Sequence, residues 1–103
     1  MKYELVMTDF AALDLVGIVS HIAKESVLRA NKYHDDIIAK LKKLETEPLL
    51  GRPHTVKKFK LMGYRELIVG SHTAHYTVDN EKRHINIIRV LHQSMKKEKH
   101  LKN

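Results

Sequence analysis

Hydrophobic positions recur with two different periods along this chain, and the change between them falls near residue 50. Residues 3–7 predict a short opening strand, with Thr8 as an N-cap and Asp9 placed to favour a helix dipole. From residue 10 to 25 the apolar positions Ala11, Leu15, Ile18 and Ile22 follow helical spacing, so an amphipathic helix is expected. Ser26 can cap a second helix striped by Ala30, Tyr33, Ile37, Leu41 and Leu44, with Asp36 and Lys40 as an exposed pair. Pro48 stops it. Two nearly contiguous, one-sided helices most economically form an antiparallel hairpin that buries its stripes against a sheet.

Beyond residue 50 the period shortens to that of strands. Residues 49–62 hold Gly51, Pro53 and the cations Lys57, Lys58 and Lys60, which predicts a basic loop ending in a short strand at 59–61. Strands are expected at 64–69, 73–78 and 84–91, joined by the polar connections Gly70-Ser71 and Asp79-Asn80-Glu81-Lys82. The last is apolar on both faces, with Ile85, Ile87 and Leu91 on one and Ile88 and Val90 on the other. Such a strand sits mid-sheet or has its second face covered by another chain. The expected fold class is α+β: a strand, a helical hairpin and a three-stranded antiparallel meander forming one sheet.

Charge adds a direction to this pattern. Residues 1–51 hold seven Lys+Arg against eight Asp+Glu, and residues 52–103 hold twelve against four, so the net +7 is −1 plus +8. The C-terminal half is the positive one, suited to phosphate backbones or an acidic protein. One domain over residues 1–95 is expected, followed by a basic, flexible tail over 96–103. No apolar run approaches the roughly 20 residues that cross a bilayer, and the first ten residues lack a signal peptide's apolar core, so a cytoplasmic protein is expected. Zero cysteines remove disulfides and thiolate metal sites. Of the eight histidines, His72 and His75 fall on opposite faces of an extended segment, and no metal site or organic cofactor is expected.

The order of elements, together with Leu50-Gly51-Arg52-Pro53, Tyr64-Arg65-Glu66-Leu67, Tyr76 and Ile88-Arg89-Val90-Leu91-His92, resembles the RelE/ParE superfamily of toxins from type II toxin-antitoxin pairs. The resemblance spans about residues 3–95 and implies a small acidic antitoxin as partner and a toxin-antitoxin hetero-oligomer. It also implies one of two actions. RelE-like members are ribosome-dependent endonucleases that cut mRNA, whereas ParE-like members bind DNA gyrase and trap it on cleaved DNA.

Metal-free RNA cleavage needs an acid, a base and cations for the charge that builds on phosphate oxygens. Lys57, Lys58, Lys60 and Arg65 can supply cations and His92 acid-base chemistry. Against this, the Arg that nuclease members often carry at the start of the next strand is Thr73, and no aromatic residue follows Tyr76. The ending is closer to ParE-like members, where Arg52, Lys60, Arg65, Arg89, Lys96 and Lys97 would bind target or antitoxin. The plainer reading makes Arg65 half of an ion pair with Glu4 or a neighbouring chain's Glu66, and His92 a strand cap. The expected function is therefore a growth-inhibiting, ParE-like toxin, the alternatives being a RelE-like ribonuclease and a non-toxic nucleic-acid-binding domain.

Overall fold

A computed structural model describes residues 2–101. The elements are β1 (Glu4–Met7), α1 (Asp9–Ala23), α2 (Val27–Lys42), β2 (Arg52–Pro53), α3 (Lys57–Leu61), β3 (Arg65–Val69), β4 (His72–Asp79), β5 (His84–His92) and α4 (Lys97–His100). A single 3-10 turn, Lys43–Glu45, extends α2.

Both long helices begin where their caps place them. The Thr8 hydroxyl accepts the Ala11 N–H at 3.0 Å, and the Ser26 hydroxyl accepts the Arg29 N–H at 3.1 Å. Each bond satisfies a donor that the first helical turn leaves without a partner. The exposed pair on α2 differs from expectation, because Asp36 binds Lys32 at 3.2 Å, one turn back.

The five strands form one sheet in the order β1-β5-β4-β3-β2. β1 runs parallel to β5, and the other neighbours are antiparallel. β5 is thus interior, as its apolar content requires. Its strict alternation is broken, however, by a register shift opposite His75 and Tyr76, where Arg89 and Ile87 are the successive partners and Ile88 is left over. The irregularity sends Ile85, Ile87 and Val90 to one face and Ile88 and Leu91 to the other.

Those two faces carry separate apolar clusters. On the first, Ala11, Leu15, Ile37, Leu41 and Leu44 of the helical hairpin pack on Leu67, Ala74, Tyr76, Ile85 and Ile87. On the second, Phe59 and Leu101 cover Leu91, flanked by Val56, Tyr64 and Ile88. No second chain is needed for that face. The stretch expected as a strand at 59–61 is helical because Lys57–Leu61 must aim Phe59 at the sheet, and its neighbours are good helix formers. Pairing to β3 falls instead to Arg52 and Pro53, at the sheet edge where a residue without an N–H is tolerated.

Of the tail expected to be flexible, residues 96–101 are described. Lys97–His100 make a helical turn and Leu101 is buried at 1% exposure, while residues 102 and 103 lie outside the described residues. Burying one leucine contributes about 2 kcal/mol, enough to hold a short segment down. Among the described residues no helix is long and apolar enough to cross a membrane.

Candidate functional site

The second face of the sheet carries a buried polar network. His54 follows β2, Glu66 lies on β3 and His75 on β4, and each is at most 2% exposed. The His54 N–H donates to the Tyr64 carbonyl at 3.1 Å, which swings its ring over the sheet. Its Nδ1 accepts the Val56 N–H at 3.0 Å, so the ring proton sits on Nε2 and is donated to His75 Nδ1 at 3.0 Å. The Glu66 carboxylate accepts the Thr55 N–H at 2.8 Å and the Lys97 ammonium. Arg52 stands 3.7 Å away, 54% exposed.

Burial sets the charges of this network. It pushes both histidines below their ordinary value, His75 to about 4, with the neighbouring His54 adding to the effect. Burial alone would raise Glu66, yet Lys97 and Thr55 outweigh it and hold the carboxyl at about 2. At neutral pH the network is a neutral histidine pair beside an ionised Glu66–Lys97 pair.

His54, Glu66 and His75 place ligand atoms within 4.8 Å of one another, a trio that sequence spacing did not bring out. The donor types would suit a zinc ion. The bonds do not. A histidine ligand donates its other ring N–H outward, whereas the other nitrogen of His54 faces a donor, and Glu66 is already taken by Lys97. The trio is a hydrogen-bonded histidine pair with the Glu66–Lys97 ion pair beside it, the Glu66 carboxylate 3.9 Å from His54 Nε2.

The cations expected to act together are divided among several tasks. Lys57, Lys58 and Lys60 are exposed on α3, Lys58 lying 5.8 Å from the Phe59 ring centre. Lys96 is exposed and precedes Lys97, whose charge is spent on Glu66. Within the chain Arg65 does not pair with Glu4 and donates instead to the Gly51 and Leu49 carbonyls at 2.6 and 3.3 Å. Arg89 grips Asp14 with two bonds of 2.8 Å and donates to the His100 carbonyl at 3.2 Å. Asp14 also accepts the Val90 N–H at 2.9 Å, so this pair ties α1 to the edge of β5.

His92 stands apart from all of these. It lines a cavity with α1 and α2, while Phe59 anchors α3 to the opposite face through Leu91. Arg65 pairs with Tyr76 and His92 with His72, four residues along β4, a separation of about 13 Å. The acid-base group and the cations of the nuclease recipe therefore do not meet.

Arg52, the three α3 lysines and Lys96 are exposed, as are the apolar Leu61, at 77%, Met62 and Ile68. β2 covers only Arg65 and Glu66 of the outer edge of β3, leaving that edge open at Leu67 and Ile68 beside a cavity of about 260 Å³.

A small sheet flanked by a helical hairpin, with exposed lysines on the opposite side, is the RelE/ParE fold of toxin-antitoxin toxins. Residues 5–97 match the model of the ParE toxin of the type II toxin-antitoxin system parDE, and the chain belongs to that family. In structure it is similar to a chain of the chromosomal ParDE toxin-antitoxin system from P. aeruginosa, with a TM-score of 0.72 and 27% identity over 88% of this chain and 96% of that one. It also shares its fold with a chain of the RelBE2 toxin-antitoxin complex from Mycobacterium tuberculosis, TM-score 0.60 and 23% identity over 90% of this chain and all of that one. No curated protein sequence matches. The chain is thus a toxin of a type II toxin-antitoxin module, with an antitoxin as partner.

Proposed function

We propose that this toxin arrests growth by binding DNA gyrase and that an acidic antitoxin segment neutralises it. The observation that carries the reading is the dispersal of the nuclease set. His92 and the α3 lysines lie on opposite faces of the sheet, Arg65 is spent on carbonyls, and the one histidine pair near the lysines is buried and neutral. Docking needs no such set. Exposed lysines interleaved with Leu61 and Met62 suit a partner that is acidic at its rim and apolar at its centre. The open edge of β3 gives an extended antitoxin segment backbone groups to pair with.

The residues assigned to docking change with the structure. Arg52, Lys57, Lys58, Lys60 and Lys96 are accessible, whereas Arg65, Arg89 and Lys97 hold the fold. Inducing the toxin alone in bacteria and following thymidine and methionine incorporation over the first minutes tests the target. An early fall in thymidine incorporation is expected. A prompt fall in methionine incorporation with DNA synthesis intact would move the target to the ribosome and mRNA.

A further inference from the structure

A cavity lies on the helical side of the sheet, away from α3. It measures about 550 Å³ and sits between the α1–α2 turn and the adjoining ends of β4 and β5. Ile18 and Ile22 give it an apolar wall, and His21, Lys24, Arg29, His72 and His92 stand around it. Glu25 is the single carboxylate among its described lining residues.

The hydrogen bonds decide what these histidines can recognise. The Tyr33 hydroxyl donates to the Val69 carbonyl at 3.2 Å, accepts the Ser71 N–H at 3.1 Å and lies 2.7 Å from His72 Nδ1, whose N–H it accepts. A neutral His72 therefore carries its proton on Nδ1 and gains an Nε2–H donor on protonation. The Ser94 N–H donates to His92 Nδ1 at 3.1 Å, so a neutral His92 carries its proton on Nε2. The two rings meet edge to face at 5.2 Å. With His72 protonated, two imidazole donors, a guanidinium and an ammonium make a set rich in donors, which a ligand of acceptor oxygens satisfies.

We propose that this cavity binds a phosphate monoester of nucleotide size, its phosphate held by Arg29, Lys24, His72 and His92 and its flat apolar part set against Ile18 and Ile22. Phosphate fits better than a carboxylate because three oxygens can accept from a fan of donors wider than a fork. The apolar wall calls for more than a bare anion. In the free protein, burial and the neighbouring His92 hold His72 below its ordinary value. A bound dianion reverses that balance, so binding takes up protons and tightens as pH falls from about 8 to about 6. Tyr33, His21, His92, Lys24, Arg29 and Glu25 are the titratable and charged groups that face His72 in this cavity.

The test is a titration of the full, isotope-labelled chain with adenosine monophosphate, inorganic phosphate and a 5′-phosphorylated oligonucleotide, reading the imidazole and backbone amide resonances. Saturable shifts at His72 and His92 are expected with the monophosphate, which should bind more tightly than inorganic phosphate. Arg29→Glu, on an exposed position of α2, should weaken binding about tenfold, while Lys82→Glu, an equal change of charge on the β4–β5 turn, should change it less than about twofold. An oligonucleotide that binds no better than the monophosphate marks a free nucleotide as the ligand, and one that binds better marks a strand terminus. Equal weakening by both variants, or shifts confined to α3, would reduce the effect to net charge and overturn the proposal. Inorganic phosphate binding as tightly as the monophosphate would overturn the role of the apolar wall.

Discussion

Replacing Lys97 with methionine removes one charge from the buried network and keeps a side chain of similar length. Glu66, whose side chain is fully buried, would then retain the Thr55 N–H and the more distant Arg52. A hydrogen bond to a charged group contributes about 1.5–3 kcal/mol, and Lys97 is 25% exposed, which places it toward the lower part of that range. A loss of about 2 kcal/mol is expected, equivalent to roughly 8 °C in melting temperature for a domain of this size. The pH dependence is more diagnostic than the size. Glu66 is held at about 2 against an ordinary 4.5, so its contribution is present above about pH 4.5 and lost as pH falls toward 2. Without the ammonium, burial raises the carboxyl and that contribution disappears. Urea unfolding of both proteins should show the full gap at neutral pH, narrowing below about pH 4.5. A gap under about 0.5 kcal/mol at neutral pH, or one unchanged at pH 3, would refute the Lys97–Glu66 contact as what fastens the tail.

Three further outcomes follow from the same geometry. Because His54 and His75 are neutral when folded, the unfolded chain binds more protons, and stability should fall as pH drops from about 6.5 to about 4, by about 3 kcal/mol from His75 alone; a flat urea midpoint across that interval would contradict this. Two glycine-to-alanine changes should have opposite signs. At Gly51 a Cβ would lie 2.5 Å from the Glu66 carbonyl oxygen and 2.7 Å from the Tyr76 hydroxyl, costing about 3 kcal/mol, whereas Gly17, with nothing within 4 Å in an exposed helix position, should gain roughly 0.5–1 kcal/mol in thermal melts. Changing Lys57, Lys58 and Lys60 together to glutamate should abolish growth arrest in an induction assay while leaving stability within about 1 kcal/mol, since all three are exposed.

What the sequence made legible was local. Thr8 and Ser26 cap their helices through side chains three residues from their targets, and the stripes through Ala11 and Ile37 need only a helical period. Contacts over long separations were not legible. Arg89 and Asp14 are 75 residues apart, and nothing in RVLH marks that arginine as a structural tie rather than a docking group. Lys97 looked like one more tail cation until Leu101 found its place against Phe59 and Leu91. The helical form of α3 depends on the same cluster. His54, unremarkable in sequence, and Glu66 become neighbours only because β2 pairs with β3. A Pro-His pair leading into a basic stretch, twelve residues before a glutamate in a strand, is the nearest thing to a signal for them.

The most direct test of gyrase as the target uses purified components. Toxin would be added to DNA gyrase and plasmid with ATP, and the cleaved and supercoiled DNA measured with and without the cognate antitoxin. Accumulation of cleaved plasmid that the antitoxin prevents, and that the triple α3 lysine substitution abolishes, is the predicted result. Unimpaired supercoiling with no cleaved DNA, alongside cleavage of mRNA in translating ribosomes, would contradict it.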